Sequence, residues 1–143
     1  MAETLPAGVP FPVPVELGKI REFARATKSR NPDYDGPGAL TPPTFLMTAV
    51  FWSTPGSDPI MHMARDRTRV LHGEQEFTFH GEPPRAGDTL IATRRIDRIY
   101  EKAGRRGGTM RFMDLVTEFR DPDGRLVAEA KSTTIETSKP ANG

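Results

Sequence analysis

Val70-Leu71-His72-Gly73-Glu74-Gln75-Glu76-Phe77-Thr78-Phe79-His80 decides the fold class, because its residues alternate in character over eleven positions. Leu71, Gly73, Gln75, Phe77 and Phe79 fall on one side of an extended chain. Val70, His72, Glu74, Glu76, Thr78 and His80 fall on the other. Three further strands follow, over Thr89–Tyr100, Thr109–Arg120 and Arg125–Thr137. A glycine- and charge-rich loop, Glu101–Gly108, separates the first two. Asp121-Pro122-Asp123-Gly124 separates the last two: proline pre-sets φ at the second position and glycine accepts positive φ. Consecutive hairpins imply an antiparallel sheet. Small residues along the last strand (Ala128, Ala130, Ser132) allow close approach of another element.

Upstream of the sheet, Phe45-Leu46-Met47-Thr48-Ala49-Val50-Phe51-Trp52 is apolar on nearly every side. A helix of that composition is expected to be surrounded, with Thr41 as its cap and Pro42-Pro43 in its first turn. The chain therefore reads as α+β, a long antiparallel sheet wrapped around a central apolar helix. Before it, Leu17, Ile20, Phe23, Ala24 and Thr27 mark an amphipathic helix over 16–27, ended by Asn31-Pro32 because the residue before proline leaves the α region. Residues 1–14, rich in proline, form an extended arm, and 138–143 a flexible tail.

The 143 residues make a single domain, 1–143, large enough for a core without staples. There is no cysteine, hence no thiolate nucleophile, disulfide or Cys-based zinc site. A net charge of +1 with interleaved signs argues against nucleic-acid binding. No apolar run approaches the roughly 20 residues that span a bilayer, and the first residues lack the features of a signal peptide. A cytoplasmic protein is the expectation.

Val70–Phe79, followed by Pro83-Pro84-Arg85-Ala86-Gly87-Asp88-Thr89-Leu90, resembles the MaoC-like dehydratase family. That family has a His-x-x-Gln-x-Phe strand leading to Ala-Gly-Asp-x-Leu. Ile96–Lys102 and Gly107–Thr117 continue the likeness, and Gly18–Thr27 is similar to the N-terminal dehydratase variant. The resemblance runs from about Val13 to Glu136. It implies a hot-dog fold and the addition or removal of water across the α,β-bond of an acyl thioester. The substrate would be carried on coenzyme A or an acyl carrier, with no further cofactor and no metal.

The family's acid–base pair lies in Gly-Asp-x-Asn-Pro-(aliphatic)-His. With Asn31-Pro32 aligned, Lys28 takes the glycine place, Ser29 the aspartate place, Asp33 the aliphatic place and Tyr34 the histidine place. Serine takes up no proton near neutral pH, and tyrosine, with a pKa of about 10, is a poor general base. No catalytic residue is therefore assigned in this chain. Asn31, Tyr34, His72 and Gly73 are the residues the resemblance places along the thioester groove. His72 is otherwise a hydrogen-bonded structural histidine.

Asp33 and Asp35 are turn residues, or one of them restores activity from a shifted loop. His72 and His80 share a strand side, about 26 Å apart at about 3.3 Å per residue, too far for one site. His80 is read as solvated, and His62 has no identifiable partner. Arg94, Arg95, Arg98, Lys102, Arg105 and Arg106 surround the first hairpin, as a phosphate site for coenzyme A or a solvated turn interleaved with Asp97 and Glu101.

These readings favour a non-catalytic, pocket-forming subunit of a heteromeric enoyl-CoA hydratase/3-hydroxyacyl-thioester dehydratase. The partner would be a second hot-dog subunit carrying the Asp/His dyad. The rivals are a self-sufficient homodimeric hydratase or thioesterase, and a non-enzymatic acyl-thioester-binding or structural homodimer. A thioesterase needs a carboxylate on the apolar helix, and Phe45–Trp52 has none.

Overall fold

In a computed structural model, residues 5–61 and 66–140 are described. Five strands form one antiparallel sheet: β1 (Phe11–Pro14), β2 (Val70–Phe79), β3 (Thr89–Ala103), β4 (Thr109–Arg120) and β5 (Leu126–Glu136), in the order β1-β3-β4-β5-β2. One α-helix, α1 (Leu17–Ala26), and a 3-10 helix over Phe45–Trp52 cover its inner face. Among the described residues no helix is long and apolar enough to cross a membrane.

The proline-rich arm is an edge strand. Phe11 pairs with Ala92 and Val13 with Leu90, and both arm side chains are buried. Pro12 and Pro14 have no N–H to donate, which suits an outermost position. Of the connections, β3–β4 and β4–β5 are the expected hairpins. In the second, Gly124 N–H donates to Asp121 O at 2.9 Å, with Gly124 at φ +84°.

The 80–88 link is not a hairpin, because β2 lies beside β5 and the link must pass two strands to reach β3. It is tied down from below. Thr41 N–H and Oγ1 both donate to Pro84 O, at 3.0 and 2.8 Å. Thr41 therefore anchors this crossing and does not cap the helix after it.

The Phe45–Trp52 run is not enclosed within the chain. In a 3-10 helix, residues three apart stack in rows. The row Leu46/Ala49/Trp52 and the first two members of the row Phe45/Thr48/Phe51 face inward, whereas Met47, Val50 and the terminal Phe51 are 46, 55 and 73% exposed. The inward rows join Phe11, Val13, Val15, Ile20, Leu90, Phe119 and Ala128 in the main core. Phe23 of α1 meets Phe45 edge-on, ring centres 5.7 Å apart. The small-residue strand β5 allows this approach, with Ala128 and Ala130 buried beneath the helices.

Period-2 alternation fails at one place in β2. Leu71 pairs with Ile135 and His72 with Thr134, but Thr133 pairs with Glu74, so Gly73 is an extra residue. This bulge flips the orientation of everything before it. Since directly opposed residues share a side, His72 lies with Gln75, Phe77 and Phe79, and Leu71 with Glu74 and Glu76. Hence His72 and His80 occupy opposite faces, contrary to the alternation. A Cβ at Gly73 would sit 2.7 Å from Ile135 Cδ1, so the end of the Ile135 side chain would have to turn aside.

Candidate functional site

The segment after α1 is held by a helix stop of defined geometry. Ser29 N–H donates to Ala24 O at 2.8 Å and Lys28 N–H to Arg25 O at 3.0 Å, with Lys28 at φ +57°. These are the two bonds of a Schellman stop, whose left-handed residue is usually glycine. The loop thus keeps the backbone of a glycine at the position where the sequence has Lys28.

Beyond the stop, the side chains serve the loop itself. Asn31 N–H donates to Ser29 Oγ at 3.3 Å, and Asp33 N–H donates to Asn31 Oδ1 at 3.0 Å, capping a short 3-10 turn over Pro32–Tyr34. Asp33 O accepts from Leu40 N–H at 2.8 Å. The Tyr34 ring is half-buried against the main core. Asp35 is held by Arg21, whose Nε donates to Oδ1, and by the Gly36 N–H at 2.7 Å. The Arg21 guanidinium, then that N–H, hold its carboxyl below the usual carboxylate range.

A groove of about 510 Å³ opens here, lined by Arg21, Ala24, Arg25, Ser29, Arg30, Asn31, Pro32, Tyr34 and Asp35. It brings Ser29, Asn31 and Tyr34 together, with Asp35 paired to arginine. Among the described residues no imidazole lines it. A second groove of about 360 Å³, almost wholly apolar, runs along the other side of α1, between Phe23, Ala26, Met47, Val50 and Phe51. Thr48, 5% exposed, lines it with a hydroxyl that has no hydrogen-bond partner among the described residues.

His72 and Gly73 lie on edge strand β2, lining neither groove. His80 is not merely solvated: its Nε2 lies 2.8 Å from Glu129 Oε2. His62 falls outside the described residues. The basic cluster is divided. Arg94 is buried over the Phe11 ring with Asp58 3.7 Å away, and burial lowers its pKa more than Asp58 raises it. Arg95 pairs with Asp97 at 2.6 Å. Arg98 Nε and Nη2 donate to Asp114 Oδ2 at 3.1 and 2.9 Å, on the outer face.

Sequence reasoning missed Arg21, whose partner Asp35 is 14 residues away, and the Asp114 network. There Asp114, only 1% exposed, also accepts from Thr133 Oγ1 at 2.7 Å. No periodicity signals either pair. Among the described residues no group of three or more His, Asp or Glu side chains could hold a metal.

This sheet, with its helices on one face, is the hot-dog fold of the MaoC-like dehydratases. The HadBC (3R-hydroxyacyl-ACP dehydratase) complex of Mycobacterium tuberculosis contains a similar chain, with TM-score 0.71 and 23% identity, over 90% of this chain and 95% of that one. The ChsH1–ChsH2 complex of the same organism gives TM-score 0.74 and 20% identity, over 96% and 86%. Residues 7–130 match the family described as FAS1-like, dehydratase domain region, and the chain belongs to that family. A UPF0336 protein of Saccharopolyspora erythraea is 37% identical over 129 residues, covering 82% of this chain and 77% of the relative. UPF0336 protein SCO4636 of Streptomyces coelicolor is 33% identical over 132 residues, covering 85% and 84%.

Proposed function

We propose that this chain is the non-catalytic, pocket-forming subunit of a heteromeric enoyl-CoA hydratase/3-hydroxyacyl-thioester dehydratase. One observation carries the reading. The Lys28–Tyr34 loop has a Schellman helix stop and a capped Asn31-Pro32 turn, and it carries serine and tyrosine where the family resemblance would put a carboxylate and an imidazole. Serine and tyrosine are poor general bases as side-chain types, and Asp35 is tied to Arg21 as a carboxylate acceptor. The second hot-dog subunit supplies the Asp/His dyad, which activates water and handles the α-proton.

This chain's share is shape. Asn31, Tyr34, His72 and Gly73 line the thioester groove once the subunits join, and the apolar channel beside α1 carries the acyl chain. The substrate is an acyl thioester of coenzyme A or a carrier protein, met in the cytoplasm, with no further cofactor. The family and the resemblance of fold to chains of the HadBC dehydratase complex and of the ChsH1–ChsH2 complex support this assignment.

The test is hydration of an enoyl-CoA by the purified chain, alone and with a hot-dog partner bearing an intact dyad. Activity should appear only with the partner and vanish when the partner's aspartate and histidine are replaced. Full turnover by this chain alone would overturn the reading.

A further inference from the structure

The two sheet edges differ in their capacity to accept a strand. β1 has four residues, two of them proline, and cannot continue a ladder. β2 has ten residues and lies at the opposite edge with its outer side unpaired among the described residues. Glu74 and Glu76 are exposed on its outer face, opposite Thr133 and Lys131 of β5. Lys131 stands on the inland side of Glu76, away from the free edge.

We infer that Glu74 and Glu76 select the partner at this edge, opposing a second copy of the chain and favouring a hot-dog strand with lysine or arginine on its outer face. The inference rests on the two-subunit reading above. In an antiparallel pair, directly opposed residues point to the same side of the sheet. A two-fold axis through β2 that keeps the inner face continuous must therefore set outer residues against outer residues. With the axis at Gln75, Glu74 opposes Glu76 of the other copy, twice. With the axis at Glu74 or Glu76, that glutamate opposes itself. Like charges directly opposed destabilise a ladder, and long exposed edges are commonly guarded by charge. Four seam glutamates would face two lysines lying behind them. A partner with cations at these places turns the same contacts into attraction and keeps the sheet continuous.

Sedimentation equilibrium of the chain alone decides this. The wild-type chain, E74K/E76K and their equimolar mixture are compared at low salt, with circular dichroism confirming the fold. Each single species should associate weakly, and the mixture should dimerise with a Kd at least about tenfold lower, the gap closing in high salt. E74Q/E76Q, which removes charge with little change of shape, should self-associate more tightly than wild type. A wild-type homodimer as tight as the mixture, or one unmoved by E74Q/E76Q, would overturn the inference. The measurement involves no turnover: charge-selected pairing without partner-dependent activity would sink the proposed function and leave this inference standing.

Discussion

Replacing Lys28 by glycine should stabilise the isolated chain, because Lys28 occupies the left-handed position of the helix stop at φ +57°. An L-residue in that region costs about 1–2 kcal/mol, and glycine removes the cost. Two terms offset the gain. Glycine loosens the unfolded chain, worth about 0.4–1 kcal/mol. The exposed lysine also places a cation at a helix C-terminus, worth about 0.3 kcal/mol. The net expectation is about 0.5 kcal/mol, or a rise of about 1–2 °C in Tm for a domain of this size. Lys28→Ala separates the terms, since alanine loses the cation and keeps the strained backbone. Urea denaturation should therefore rank Gly above Lys, and Lys above Ala, with about 1 kcal/mol between Gly and Ala. A Lys28→Gly variant no more stable than Lys28→Ala would refute the stop, and with it the left-handed backbone assigned to this loop.

Asp114→Ala should cost about 1–3 kcal/mol in chemical denaturation, because it strands the Thr133 hydroxyl, whereas Arg98, 62% exposed, regains water. Gly73→Ala should lower stability by about 0.5–1.5 kcal/mol, the cost of turning the half-buried Ile135 side chain off its rotamer; an unchanged urea midpoint would refute that crowding. The Asp35 carboxyl should titrate below its unfolded value, so its contribution is present above the unfolded pKa and lost as pH falls through the folded one. Carboxyl NMR in Arg21→Gln should show that depression relieved, since the Arg21 hydrogen bond is its largest cause.

Much of the fold could be read from side-chain periodicity, which is local. The four long strands, both hairpins and the amphipathic helix follow from alternation, turn chemistry and 3.6-residue spacing. The Asn31-Pro32 turn was legible for the same reason, since proline and the asparagine cap act on their immediate neighbours. What periodicity cannot report is a one-residue insertion in a ladder. Gly73 moved His72 to the other face, because register depends on which strand lies alongside. Nor does apolar composition say how much of a helix its own chain will cover, and Phe51 remains mostly exposed. Pairings such as Arg21–Asp35 and Arg98–Asp114 arise between elements whose separation in sequence carries no signal. The sequence by itself determined the antiparallel sheet and placed serine and tyrosine at Ser29 and Tyr34. Only the tertiary structure decided which long strand forms an edge among the described residues, which glutamates stand exposed on it, and which arginines are already engaged, because those facts depend on distance in space.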